Sequence, residues 1–98
     1  MSTPLTVIAR MQARPDRIED LRVELDNLIA ATRREAGCIN YDLHVHADDP
    51  TVFAFHETWA DRDAWEAHDD ADHVHAFRAA AGELLAGEVR VDPLHKLD

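Results

Sequence analysis

Apolar residues recur along this chain with two different periods, and the points where the period changes mark its elements. From Leu5 to Ala13 the period is two. Leu5, Val7, Ala9, Met11 and Ala13 share one face, while Thr6, Ile8, Arg10 and Gln12 share the other. This pattern predicts a half-buried strand. Arg14-Pro15-Asp16 interrupts it and suits a turn or a helix start. Ile18, Leu21, Leu25, Leu28, Ile29 and Thr32 then recur at helical spacing, with Arg17, Glu19, Asp20, Arg22, Glu24 and Asp26 on the solvent side. Gly37 is the expected C-terminal stop. Arg33 and Arg34 fall near the negative end of the helix dipole.

The period returns to two at Cys38. Through Ala47, Ile39, Tyr41, Leu43 and Val45 form one face and Asn40, Asp42, His44 and His46 the other. Asp48-Asp49-Pro50 is a turn signal, and Thr51 to Trp59 completes a hairpin. On this third strand Phe53, Phe55, Glu57 and Trp59 share a face. Asp61 can cap a short helix that carries Trp65 and His68 one turn apart. Asp69-Asp70-Ala71-Asp72 interrupts it, with Asp72 a candidate cap for the next segment. There Val74, Phe77, Ala81, Leu84 and Leu85 form a second apolar stripe that ends at Gly87. Glu88 to Leu97 reads as the last strand, and Pro93 places it at an edge or makes it bend out.

Strand, helix, strand, strand, helix, strand is the order of a ferredoxin-like α+β fold, an antiparallel sheet with helices on one face. The apolar strand faces pack on the helices. The opposite face, with Ile8, Arg10, Gln12, Asn40, Asp42, His44, His46, Val52, Ala54 and His56, is too polar for a dry core. It is either solvated or meets a second copy across a wet interface. In the second case His44, His46 and His56 lie at or near that interface, and acid is expected to weaken it.

Composition narrows the function. The chain has 98 residues, is 46% apolar and carries a formal net charge of −10. The acidic balance argues against nucleic acid and anionic membrane, which need a basic footprint. With no run of about 18 apolar residues and no signal-peptide pattern at the start, a cytoplasmic location is expected. The single cysteine, Cys38, excludes an intrachain disulfide and a cysteine-based zinc site, and reads as a small structural residue. His44 with His46 and His73 with His75 could bind a metal adventitiously, but no spacing matches a strong metal motif, so no functional metal is expected. The chain carries no phosphate loop, dinucleotide fingerprint or Ser-His-Asp order, so no flavin or nicotinamide is implied.

Glu57 is the sharpest functional candidate. A carboxylate among three aromatics is costly unless paired or protonated, and burial would raise its pKa toward the range of a useful base. The competing reading is a structural carboxylate paired with Arg33, Arg34, Arg78 or a backbone amide. If the short helix folds back on the strand, Glu57 and His68 meet in an aromatic-lined pocket. His68 could then be the base, with Glu57 orienting it, or a plain surface histidine. Tyr41 could donate to a substrate oxygen or be a core tyrosine. Phe53, Phe55, Trp59, Trp65 and Phe77 would wall the pocket, and His73 could close its mouth.

Thr32-Arg33-Arg34-Glu35-Ala36-Gly37-Cys38-Ile39-Asn40-Tyr41, then Phe53-Ala54-Phe55-His56-Glu57-Thr58-Trp59, then His68 and His73, resembles the antibiotic biosynthesis monooxygenase family, closest to its small quinol monooxygenase-like members. Ala36 stands where a proline is common. The resemblance covers nearly the whole chain and implies one ferredoxin-like domain over residues 1–98. It also implies a homodimer forming an α+β barrel, a small aromatic substrate with oxygen, and no cofactor. Family members include cofactor-independent monooxygenases of phenols and quinols, haem-degrading enzymes and an isomerase of a sugar phosphate. The haem-degrading members use an asparagine on the first strand, which here offers Arg10 and Gln12 instead. The leading expectation is base-assisted oxidation of a quinol or phenol, with Glu57 and His68 as acid/base residues and Tyr41 as donor. An isomerase using the same pair and a non-catalytic ligand-binding dimer remain as alternatives.

Overall fold

A computed structural model describes residues 3–98. Four strands and three helices follow one another as β1 (Leu5–Gln12), α1 (Ile18–Thr32), β2 (Cys38–Val45), β3 (Val52–Trp59), α2 (Arg62–Asp69), α3 (Asp72–Ala81) and β4 (Arg90–Leu94). The sheet order is β2-β3-β1-β4, with every neighbouring pair antiparallel. This is the ferredoxin-like α+β arrangement, with β1 and β3 central and β2 and β4 at the edges.

The strand alternation decides which face is covered. Leu5, Val7, Ala9, Met11 and Ala13 are buried, as are Phe53, Phe55, Glu57 and Trp59 on the paired strand. Against them lie Leu21, Leu25 and Leu28 of α1 and Val74, Phe77 and Ala81 of α3. Burying a large apolar side chain is worth roughly 1.5–3 kcal/mol, so this one layer of contacts dominates the fold's stability. On the other face Arg10, Gln12, His44 and His56 are exposed, with Ile8 and Ala54 half-buried.

Several local expectations change. Val45, placed on the apolar face of β2, is exposed near the strand's end. Helix α3 ends at Ala81, before Leu84 and Leu85 of the expected stripe, and β4 covers only Arg90–Leu94 of the expected Glu88 to Leu97. Ile39 is 60% exposed rather than in the core. A bulge shifts the register between Cys38, opposite Trp59, and Asn40, opposite Thr58. The inserted residue loses its partner, and the alternation restarts with Tyr41 inward. Gly37 does not end α1, which stops at Thr32 with Arg33 as its C-cap. A Cβ on Gly37 would lie 2.3 Å from the Ala64 Cβ, so the residue is small because α2 crosses there. Asp72 is the first residue of α3, and Ala71 before it makes no side-chain cap. Asp61 does cap α2, its Oδ1 accepting from the Ala64 backbone N–H at 2.8 Å. Pro93 sits on the edge strand β4, where its missing N–H costs no ladder bond.

Candidate active site

Between the sheet and the helices lies a cavity of about 210 Å³. Its floor is β-sheet: Ala9 and Met11 of β1, Tyr41 of β2, and Phe55 and Glu57 of β3. Leu28 of α1, His68 of α2 and Val74 and Phe77 of α3 form the walls. Asp69, Arg78, Val89 and Val91 complete the lining. A larger depression of about 520 Å³ lies over the uncovered face, lined by Ile8, Arg10, Gln12 and Arg90 among others. It contains no buried titratable side chain, whereas the smaller cavity holds three, Tyr41, Glu57 and His68.

Glu57 is 3% exposed. Its Oε1 accepts from the Trp59 indole N–H at 2.9 Å, a contact set by the strand period, since residues two apart share a face. None of the arginines considered from the sequence reaches it. Among the described residues Oε2 has no hydrogen-bond partner. Burial pushes the Glu57 pKa up to about 7, with the Trp59 bond opposing that rise and the charges of Glu35 and Asp69 adding to it.

Tyr41 stacks on Phe55 with ring centroids 4.4 Å apart and meets His68 edge-on at 5.5 Å. Burial and the nearby Glu57 charge push the phenol far above its ordinary value, so Tyr41 can donate a hydrogen bond but cannot act as a base. The Thr32 hydroxyl, buried beside it, makes no well-formed hydrogen bond. Burial and the charge of Glu35 also raise the Cys38 thiol. It therefore stays protonated, the state of a structural cysteine.

His68 is buried against Trp59, ring centroids 4.6 Å apart. Its orienting partner is Glu35 rather than Glu57, with Nδ1 2.6 Å from Glu35 Oε2. His73 Nε2 reaches the same oxygen at 3.0 Å. A carboxylate oxygen only accepts, so Nδ1 of His68 carries hydrogen and Nε2 is the nitrogen left basic. Burial lowers the His68 pKa, and Glu35 opposes that shift.

Of the residues expected at the pocket, Tyr41, Phe55, Glu57, His68 and Phe77 are brought together around one cavity. Phe53 is buried further along β3, and Trp59 stands behind Glu57 and His68. Trp65 is half-buried, with the Arg62 guanidinium 5.5 Å from its ring. His73 lies off the cavity and on Glu35. The sequence gives no sign of Glu35 or Asp69 here, and Arg78, a candidate partner for Glu57, lines the same cavity but pairs with Asp69 instead. Glu35 follows two arginines and reads locally as a solvated charge, and no spacing signals a contact spanning 33 residues.

The chain as a whole is similar to known proteins. Residues 4–80 match the antibiotic biosynthesis monooxygenase family. A Mycobacterium tuberculosis protein named putative monooxygenase Rv0793 is 42% identical over 98 residues, covering 100% of this chain and 96% of its own. Its solved structure superposes with a TM-score of 0.92 at 41% identity, over 98% of this chain and 97% of that one. The crystal structure of PA3566 from Pseudomonas aeruginosa gives 0.91 at 42% identity, over 100% and 98%. A Bacillus subtilis protein named putative monooxygenase YcnE is 29% identical over 83 residues, covering 85% of this chain and 87% of its own.

Proposed function

This chain belongs to the antibiotic biosynthesis monooxygenase family, and from that premise we propose that it oxidises a small phenol or quinol with molecular oxygen, using no resident cofactor. The observation that carries the reading is a buried carboxylate, Glu57, with one oxygen tied to Trp59 and the other free in an aromatic-walled cavity. The names of two relatives, each a putative monooxygenase, support the same reaction class. A cavity of about 210 Å³ suits one or two fused rings.

In this reading Glu57 Oε2 takes the proton from the substrate hydroxyl. The phenolate is electron-rich and transfers its electrons to O₂, forming a C–O bond at a ring carbon that bears hydrogen. The Glu57 proton goes to the distal oxygen. The O–O bond then breaks, water leaves with that oxygen, and the ring C–H becomes a carbonyl. One oxygen atom enters the product and one leaves as water, so substrate carbon is oxidised and O₂ is reduced in balance. Tyr41 donates to the developing oxyanion, and His68 Nε2 accepts from a second substrate hydroxyl. Apolar walls keep water from the charged intermediates. Arg78, paired with the Asp69 carboxylate at the cavity lining, can stabilise a polar ring substituent. A second copy of the chain against the uncovered face of the sheet completes this reading as a homodimer.

The test is oxygen uptake by metal-stripped protein with a panel of phenols and quinols, beside Glu57→Gln. Uptake in the native protein that falls at least ~100-fold in the variant supports Glu57 as the base, the scale expected for general-base catalysis. Equal uptake in both would remove the mechanism. Turnover that continues without oxygen would replace oxygenation with isomerisation.

A further inference from the structure

Three metal-ligating groups converge just behind the cavity wall. Glu35 lies in the connection after α1, His68 in α2 and His73 in α3. Glu35 Oε2, His68 Nδ1 and His73 Nε2 all lie within 4.8 Å of one another. Two of the separations are 2.6 Å and 3.0 Å, both to the shared oxygen. Ligand atoms about 2.1 Å from a zinc ion sit roughly 3.0–3.4 Å from each other. The three donor atoms are thus close enough to meet at one ion, with the Glu35–His68 side widening by a few tenths of an ångström to admit it.

The surroundings favour a cation there. Among the described residues, the ion-pair partners of Glu35 are these two histidines, with no lysine or arginine. Its side chain is only 18% exposed, and His73 is 27% exposed, so the triangle is enclosed on the His68 side and open on the other. Two imidazoles and one carboxylate with open positions is a donor set for borderline divalent metals such as zinc, cobalt(II), nickel or iron(II). The helix break at Asp70–Ala71 creates it. It turns α3 so that His73 stands beside His68, ring centroids 6.1 Å apart.

We propose that Glu35, His68 and His73 form a three-ligand site for a divalent transition metal, and that its occupancy switches the hydrogen-bonding role of His68 in the cavity. The site does not involve His44 or His46, and of the sequence pair His73/His75 it uses only His73, since His75 turns away to Asp70. Without metal, both imidazoles point an N–H at Glu35. With metal, each offers that nitrogen as a lone pair and moves its hydrogen to the other ring nitrogen. Nε2 of His68 then becomes a donor where it had been an acceptor. No oxidation is involved, and the metal bonds simply replace two hydrogen bonds. The switch rests on the reading of His68 given above, whereas the binding site does not.

The experiment is a titration of tag-free, metal-stripped protein with cobalt(II), followed by visible absorption, and with zinc against a chromophoric chelator. One equivalent per chain is expected, weakened at least 10-fold in His73→Ala and in Glu35→Gln but unchanged in His75→Ala and His44→Ala. His73 is partly exposed, so its variant keeps the test valid if Glu35→Gln folds poorly. No binding below about 100 µM, or binding indifferent to His73→Ala and Glu35→Gln, would overturn the site. Turnover is expected to fall as zinc fills the site, with the sensitivity lost in His73→Ala. Stoichiometric binding at these residues with turnover unaffected would overturn the switch alone. Absence of turnover with every substrate would bear on the proposed reaction and not on the binding curves.

Discussion

Trp59 and Glu57 are two residues apart on one strand, and the indole N–H of the first donates to the carboxylate of the second at 2.9 Å inside the core. The bond stabilises the ionised acid and pulls against the burial that raises its pKa to about 7. Trp59→Phe removes the donor while keeping an aromatic ring. The apparent pKa governing turnover is expected to move upward from about 7, so activity rises at higher pH than in the native protein. The pH dependence of kcat/KM measures this, and an unchanged midpoint would separate Glu57 from the rate.

Glu57 also makes a stability prediction. Facing or near it are Tyr41 from β2, His68 and Asp69 from α2, Arg78 from α3 and Glu35 after α1. Its pKa in the fold is about 7, against an ordinary value of 4.5. Below 4.5 both folded and unfolded chains hold the proton and Glu57 costs nothing. As pH rises toward 7 the unfolded chain ionises while the folded one does not, so stability falls, and above 7 the loss is complete. The full difference is roughly 3 kcal/mol at 1.36 kcal/mol per pKa unit. Denaturant unfolding of native protein and Glu57→Gln at pH 4.5 and 8 isolates it. The variant is expected to gain stability relative to native protein as pH rises.

Tyr41→Phe keeps the stack on Phe55 at 4.4 Å and removes only the hydroxyl. Stability is expected to change by about 1 kcal/mol or less, the scale of one hydrogen bond. Turnover is expected to fall by roughly 10- to 100-fold if the hydroxyl supports the oxyanion. Steady-state oxygen uptake and thermal unfolding together check both halves. A variant that loses stability but not activity would make Tyr41 a core residue only.

Gly37 and Ala64 test the packing that places α2, and hence His68. A methyl on Gly37 would meet the Ala64 Cβ at 2.3 Å. Gly37→Ala is expected to cost about 1–3 kcal/mol through overpacking, and Ala64→Gly to recover part of it. A double-mutant cycle by chemical denaturation gives the coupling. Additive effects would mean that the two positions do not meet.

Local chemistry in the sequence is enough for the faces of β1 and β3 and for part of the lining of the candidate cavity. The alternation Phe53, Phe55, Glu57, Trp59 fixes those side chains on one face whatever the rest of the chain does, because the strand period is two. A carboxylate on such a face marks itself. The α1 stripe, the Val74–Ala81 part of the second stripe, the Asp61 cap and the edge position of Pro93 are legible for the same reason, each being a property of neighbours in the chain. Where a period broke without a compositional sign, the reading failed. One extra residue at the bulge sends Ile39 outward, and nothing in Cys-Ile-Asn announces it.

Contacts between distant segments were decided only by the tertiary structure. Glu35 orients His68, a role the sequence had offered to Glu57, because the angle between α2 and α3 and the path after α1 bring three remote side chains to one oxygen. Gly37 reads as a helix stop and serves instead as clearance for Ala64. Periodicity tells which face a residue takes. It carries no information on which other element that face will meet, since that depends on how the helices cross the sheet.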